Sequence, residues 1–179
     1  MIVKTALETK DYLTYQLFIA SRSKQVQNSR IKTRIVVPIV WIILGCILSY
    51  HDGNFMMLIA FSFASMLWYI MIPRYETKRY EKHYAKFIEE HYTNRIGQEN
   101  IIDFQDDIIK ANSPMGESKV HYDALLALQE LKEYLFLALS KSTAFIIPKK
   151  DIDDIEKLKY DLARKTGLSW EDYRDWKWR

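Results

Sequence analysis

Two long runs of apolar residues, separated by a four-residue turn, constrain this chain more than any other feature of its sequence. The first run, 35–50, reads IVVPIVWIILGCILSY, and the second, 55–72, reads FMMLIAFSFASMLWYIMI. Neither run contains a charged side chain. As helices they would extend about 24 Å and about 27 Å, slightly less than a hydrocarbon core of about 30 Å but within the range that flanking residues accommodate.

The alternative for these runs is a helical hairpin buried inside a water-soluble fold. A chain of 179 residues is too short to wrap two helices on all sides, so each helix would keep a polar face. Neither run has one, and Ser62 and Ser65 are the nearest approach to it. The apolar side chains favour membrane insertion by about 2 to 6 kcal/mol. The sequence therefore predicts a transmembrane hairpin over 35–72, with the turn HDGN between its helices.

The positive charge of the chain lies beside the apolar runs. Residues 1–34 hold seven Lys and Arg against two acids, whereas residues 96–179 hold thirteen against sixteen. The turn has no Lys or Arg, so both termini are expected in the cytoplasm, in a two-pass protein of the cell (cytoplasmic) membrane. This distribution argues against nucleic-acid binding. The basic residues expected beside the membrane, where anionic lipids attract them, are Arg30, Lys32, Arg34, Arg74, Lys78 and Arg79.

The segments on either side of the hairpin show the periodic patterns of a short strand and of amphipathic helices. Residues 1–34 predict a short strand, a helix from about Lys10 to Arg22, and a basic segment. Residues 73–97 predict a connecting helix that continues the second span and stops near Gly97. The sequence therefore predicts an N-terminal cytoplasmic segment over 1–34 and a cytoplasmic connecting helix over 73–97, one on each side of the hairpin in the chain.

From residue 98 the pattern changes to short apolar segments that turn residues separate. This predicts a small antiparallel sheet over 98–167, closed by a helix after Pro148. Asp151 is the predicted N-cap of this helix and Gly167 its C-terminal stop. A Trp-rich tail follows over 168–179. The predicted fold class is an α+β membrane protein.

The chain resembles the YcxB-like family of small bacterial membrane proteins. The segments that carry the resemblance are DYLTYQLFIASRSK, HYDALLALQELKEYLFLAL and AFIIPKKDI, and it is best over about 98–155. The family usually continues the Pro-Lys step with Arg and an aromatic residue, where this chain has Lys150, Asp151 and Ile152. The resemblance implies a cytoplasmic pleckstrin-homology-like domain on a two-helix anchor in the bacterial inner membrane, and it implies no established enzyme activity.

No catalytic, metal or cofactor motif is present in the sequence. Cys46 is the single cysteine and lies in the first apolar run, and the four histidines show no metal-ligand spacing. Acids at the start of the last helix complement its dipole and lack the pattern of a calcium loop. We therefore expect no catalytic residue, no metal and no cofactor.

Two features are candidate contacts for a lipid or a protein partner. Lys149 and Lys150 follow a predicted strand. They are either a plain surface pair or a contact for lipid phosphates. The tail forms either a short helix in the headgroup region, capped by Ser169, or a segment docked on the domain's own sheet. Its candidate contact residues are Trp170, Trp176 and Trp178.

These observations predict a non-enzymatic membrane protein that presents an interaction or regulatory domain in the cytoplasm. Its expected partners are the lipid bilayer and an unknown protein or anionic lipid headgroups. Small residues of the hairpin serve either helix packing within the chain or contacts in an oligomer. Two alternatives are a subunit of an oligomeric small-solute channel or transporter, which needs polar groups at membrane depth, and a membrane-surface enzyme, which needs a cluster of titratable groups.

Overall fold

The computed structural model of the chain describes residues 1–114 and 116–178, apart from the side chain of Asp52. Its residues form two compact units. The sheet unit comprises Met1–Ile19 and Tyr84–Lys177, and the hairpin unit comprises Ala20–His83 together with Trp178. The helices are α1 (Thr9–Arg22), α2 (Lys24–Asp52), α3 (Met56–Tyr92) and α4 (Ile155–Thr166). The α+β class is confirmed.

The hairpin unit is built from α2 and the larger part of α3. Each helix is longer than the apolar run it contains, because α2 begins at Lys24 and α3 continues to Tyr92. Gly53 ends α2 in the left-handed conformation, at φ 64°. Two side chains then satisfy amides of the first turn of α3, since Asn54 Oδ1 accepts from Met56 N and Ser49 Oγ accepts from Leu58 N. The short turn and antiparallel helices follow the prediction.

The apolar side chains of the hairpin point mainly outward. Ile47 is 58% exposed and Phe63 is 63% exposed, whereas Ser49 and Ser65 are buried between the helices. Only 11% of the most apolar stretch of each helix is buried, which is the opposite of a core helix in a soluble protein. The chain therefore has two helices that are long and apolar enough to cross a membrane.

Small residues allow the two helices of the hairpin to approach closely. A Cβ atom at Gly45 would lie 2.9 Å from Cβ of Phe61. Ser65 Oγ lies 3.2 Å from the carbonyl oxygen of Pro38 and 2.8 Å from that of Phe61. Gly45 and Ser65 thus serve packing within the chain, one of the two roles expected for small residues in this segment.

Strands of the sheet unit form two four-stranded sheets, not the one antiparallel sheet that the sequence predicts. Sheet A has the order β1-β2-β3-β4, and all its pairs are antiparallel. Its strands are β1 (Ile2–Ala6), β2 (Glu99–Phe104), β3 (Ile108–Ser113) and β4 (Gly116–His121). Because β1 pairs with β2, the N-terminal strand belongs to the same sheet as residues that follow the hairpin.

Sheet B has the order β7-β6-β5-β8 and contains one parallel pair. Its strands are β5 (Ala127–Leu131), β6 (Tyr134–Ala138), β7 (Ala144–Pro148) and β8 (Trp170–Tyr173). The tail thus forms a strand in place of the helix that was one of its two predicted states. Strand β8 runs parallel to β5 because α4 returns the chain to the same end of the sheet before β8 begins.

The N-cap of the last helix lies three residues later than predicted. Asp154 is its N-cap, since Asp154 Oδ1 accepts a hydrogen bond of 3.0 Å from Lys157 N, so the prediction of Asp151 is wrong. Asp151 instead lies in a short 3₁₀ helix, Lys149–Asp151. Gly167 ends α4 at φ 69°, as predicted.

Two apolar clusters hold the sheet unit together. The first lies between the sheets and includes Val3 and Ile109 of sheet A, Leu135 of sheet B, and Leu158 of α4. The second covers the opposite face of sheet B with side chains of α1 and the end of α3. Strand β6 is buried on both faces, which explains its continuous apolar sequence YLFLA.

Candidate functional site

The basic residues beside the apolar runs divide into two groups in the hairpin unit. Arg30 and Arg34 make contacts within the unit: Arg30 Nε lies 3.7 Å from Oε2 of the buried Glu76, and the Arg34 guanidinium lies 4.2 Å from the centre of the Tyr69 ring. Arg34 is itself exposed, and the second group comprises the further exposed side chains Lys32, Arg74, Lys78 and Arg79. The second group can therefore reach a lipid headgroup without breaking an ion pair with a buried carboxylate.

The two candidate lysines lie in different surroundings. Lys149 Nζ lies 2.6 Å from Glu130 Oε1, and Lys159 Nζ lies 2.9 Å from Glu130 Oε2. Lys149 is therefore held in an ion-pair cluster (Lys149, Glu130 and Lys159) at the edge of the core. Lys150 is exposed and stays a candidate contact for lipid phosphates.

Glu130 occupies the centre of this cluster, although it lies in a strand and is 8% exposed. Burial alone would raise the pKa of Glu130, but hydrogen bonds from Lys149 and Lys159 outweigh it and hold the pKa below the ordinary value. The same contact with Glu130 raises the pKa of Lys159. These shifts indicate a structural ion pair, because the carboxylate has a lysine on each oxygen.

The three tail tryptophans all make contacts with the protein. Trp170 Nε1 donates to the carbonyl oxygen of Lys159 at 3.0 Å, and Trp176 lies edge-on to Phe18 in the sheet unit. In the hairpin unit, Trp178 Nε1 donates to the carbonyl oxygen of Thr77 at 3.2 Å. The structure thus supports the docked alternative for Trp170 and Trp176.

A polar cleft of about 550 Å³ opens in the sheet unit, and no sequence pattern predicted it. Thr5 of β1 and Tyr15 of α1 line it and are 3% and 4% exposed. Neither Thr5 Oγ1 nor the Tyr15 hydroxyl has a hydrogen-bond partner among the described residues. Burial raises the pKa of Tyr15 to about 12, and the neighbouring Tyr92 adds to this effect. The Tyr15 hydroxyl is thus protonated at neutral pH and can donate as well as accept.

Positive charge reaches the cleft from Arg95, which lies just beyond α3. Burial raises the pKa of the Tyr12 hydroxyl, and the Arg95 charge opposes this rise in part. Arg95 also lies 5.6 Å from the centre of the Tyr92 ring. Tyr12, Tyr92 and Arg95 all line the cleft together with the unpartnered hydroxyls. This arrangement of hydroxyl groups and one guanidinium can bind a polar ligand.

Metal-ligating side chains are dispersed in the part of the chain that the structure describes. No three His, Cys, Asp or Glu side chains within 1–114 and 116–178 gather closely enough to hold a metal ion. His91 stacks on Phe87 of the same helix, and His121 ends β4. His83 belongs to the hairpin unit.

The comparisons with known proteins give one match. The family model of the YcxB-like proteins matches residues 104–160, which run from the end of β2 into α4. No curated protein matches the chain, and no solved structure matches it. The matched segment includes the ion-pair cluster of Lys149, Glu130 and Lys159. Residues 104–160 therefore form a YcxB-like domain.

Proposed function

We propose that this protein is a two-span protein of the cell membrane that holds a non-catalytic binding module in the cytoplasm. The observation that carries the proposal is the hairpin, in which two charge-free helical stretches, 35–50 and 55–72, expose their apolar side chains and have basic residues only at the ends away from the turn. Such a surface is stable among acyl chains and unstable in water. The absence of Lys and Arg from the turn favours an outside location for the turn.

The sheet unit supports the second half of the proposal. In this proposal the sheet unit is the pleckstrin-homology-like module, and its two small sheets, the core between them and the closing helix α4 support that assignment. Holding such a module at the membrane raises its effective concentration near a membrane-bound partner, so that a weak contact suffices. Lys150 and the exposed basic residues beside the hairpin are the proposed contacts for anionic lipid headgroups.

Cysteine accessibility in intact cells tests the topology. In a Cys46→Ala background, Asn54→Cys places a thiol in the turn, and Lys141→Cys places one in the exposed loop before β7. A membrane-impermeant maleimide should label position 54 in intact cells and position 141 only after permeabilisation. Labelling of both positions, or of position 141 alone, in intact cells would overturn the proposed orientation.

Photo-cross-linking in native membranes tests the binding role. A photoreactive residue at position 150 should capture lipid or a discrete protein, whereas the same residue at position 141 serves as a matched exposed control. The module proposal predicts cross-links that depend on the position. Equal, diffuse labelling from both positions would contradict Lys150 as a specific contact.

A further inference from the structure

The inward face of sheet A changes from apolar to polar along its strands. Val3, Ile102 and Ile109 on this face are buried in the core between the sheets. Two residues further along each strand, on the same face, lie Thr5, Asn100 and Ala111. The strand register pairs Thr5 with Asn100 beyond the apolar side chains, and it pairs Ala111 with Ile102 at the boundary between the two halves of the face.

This change explains why the cleft exists. On one half of the face, short or polar side chains leave a space open. On the other half, larger apolar side chains fill the equivalent space. Strand β7 is at the edge of sheet B, and Ala144, Phe145 and Ile146 from it form the opposite wall. The volume of about 550 Å³ lies within the range of small-molecule sites.

The unpartnered hydroxyls in this cleft contrast with other buried tyrosines of the same unit. The Tyr134 hydroxyl donates to Asp11 Oδ1 at 2.7 Å, and the Tyr122 hydroxyl donates to the carbonyl oxygen of Gln105 at 2.8 Å. The fold thus provides partners for buried phenols elsewhere. Buried polar groups are nearly always hydrogen-bonded, so the free groups of Tyr15 and Thr5 indicate a partner that binds from the cleft.

The charges around the cleft favour an anion. Glu117 is the only acidic side chain among the described lining residues, and Lys110 and Lys119 hold it at 3.2 Å and 3.1 Å. Arg95 is the only basic one and is exposed, with no carboxylate within ion-pair distance among the residues described. One guanidinium therefore remains available to a ligand in this cleft.

We propose that the cleft binds a small hydroxylated organic anion. Its carboxylate or phosphate pairs with Arg95, and its hydroxyl groups bond to Tyr15 and Thr5. The inference supplies a ligand class for the proposed binding module. It does not depend on the membrane topology, so the cysteine-labelling experiment and the binding experiment can fail separately.

Calorimetric titration of the full chain in phosphatidylcholine nanodiscs tests the proposal. Glycerol 3-phosphate and malate carry both required groups, whereas glycerol and inorganic phosphate serve as probes that carry only one. We expect the first two to bind with Kd near 1 mM or tighter, at least tenfold more tightly than the second two. Failure of both hydroxylated anions to bind, or equal binding of inorganic phosphate, would overturn the proposal.

Variants connect any binding to the named groups. Arg95→Gln should weaken binding about tenfold or more, because it removes a charge-assisted bond, and Tyr15→Phe should weaken it about threefold to tenfold. Arg164→Gln, on α4 outside the lining, is the matched control and should leave Kd unchanged. Binding that neither Arg95→Gln nor Tyr15→Phe alters would place the anion elsewhere and refute the site.

Stability measurements separate a ligand site from a structural role of the hydroxyl. Without ligand, Tyr15→Phe should leave the unfolding midpoint unchanged or raise it, because it removes an unsatisfied buried group. Tyr134→Phe is the control and should lower the midpoint, because it breaks the bond to Asp11. A similar fall of the unfolding midpoint in Tyr15→Phe would mean that the hydroxyl belongs to a structural water network. That result would contradict the inference.

The source of the anion is decided by changing the nanodisc lipid. If a lipid headgroup supplies the anion, wild-type protein in phosphatidylglycerol nanodiscs should bind added glycerol 3-phosphate more weakly than in phosphatidylcholine. Unchanged affinity supports a free solute as the ligand. Both results support the shared chemistry of the site, which the Arg95 and Tyr15 variants must then confirm.

Discussion

The hairpin unit and the sheet unit use the same apolar residue types in opposite ways. In the sheet unit Phe18 and Phe136 are fully buried, whereas in the hairpin unit Phe63 and Ile47 are mainly exposed and the serines Ser49 and Ser65 are buried. Hydrogen bonds link these serines to backbone groups of the hairpin. The comparison supports the proposed location of the hairpin in lipid, because apolar surface is buried where water surrounds a protein and exposed where lipid does.

Matched truncation of two phenylalanines gives the largest expected contrast. Phe136→Ala should lower the free energy of unfolding of the sheet unit by about 3 to 5 kcal/mol, because it leaves a cavity in a closed core. Phe63→Ala should cost less than about 1 kcal/mol in lipid nanodiscs, because acyl chains fill the space. Chemical unfolding measures the stability of both variants. Hydrogen exchange of the β6 amides identifies the transition that belongs to the sheet unit. Equal losses would show that Phe63 packs against protein.

Disrupting the ion-pair cluster tests whether a buried charge in the sheet unit behaves as structure. Glu130→Gln should lower the free energy of unfolding by about 3 kcal/mol, because it leaves Lys149 and Lys159 without their shared carboxylate. Glu156→Gln is the matched control, since Glu156 also pairs with Lys159 but its side chain is 83% exposed; it should change stability by less than about 0.5 kcal/mol.

The pH dependence of the same pair has a defined sign. The pKa of Glu130 lies below its ordinary value of 4.5 in the folded protein, so its stabilisation is present above about pH 4.5. It is lost as the pH falls through the folded pKa. The stability difference between wild type and Glu130→Gln should therefore shrink in acid, as denaturant titrations at pH 7 and below pH 4 would show. A difference that is constant with pH would contradict the lowered pKa of Glu130.

A smaller effect is expected where the hairpin helices meet. Gly45→Ala should destabilise the hairpin by about 1 to 3 kcal/mol, because its Cβ would lie 2.9 Å from Cβ of Phe61. Cys46→Ala, at the next position and exposed, is the control and should change stability by less than about 0.5 kcal/mol. Unfolding in nanodiscs measures both variants. If Gly45→Ala matches the control, the helices do not approach as closely as described.

Local sequence patterns determined much of the fold. Charge-free apolar runs, the Gly-containing turn, helix α1 and the amphipathic helix α4 depend on residues within a few turns of one another, and the structure contains all of them. The strand assignment of 127–131 did not follow from its composition, since Ala, Leu and Gln favour helix. Gln129 and Glu130 are held there by Glu171, Lys149 and Lys159, which the sequence places far away.

Only the tertiary structure decided how distant segments combine. The pairing of β1 with β2 joins residues separated by the whole hairpin, and this pairing divides the strands between two sheets. It also brings Thr5 into the cleft that Tyr15 and Arg95 line. Periodicity describes which face of an element is apolar but not which element covers that face. The sequence by itself therefore determined the candidate membrane segment, and long-range packing alone created the polar cleft and the ion-pair cluster.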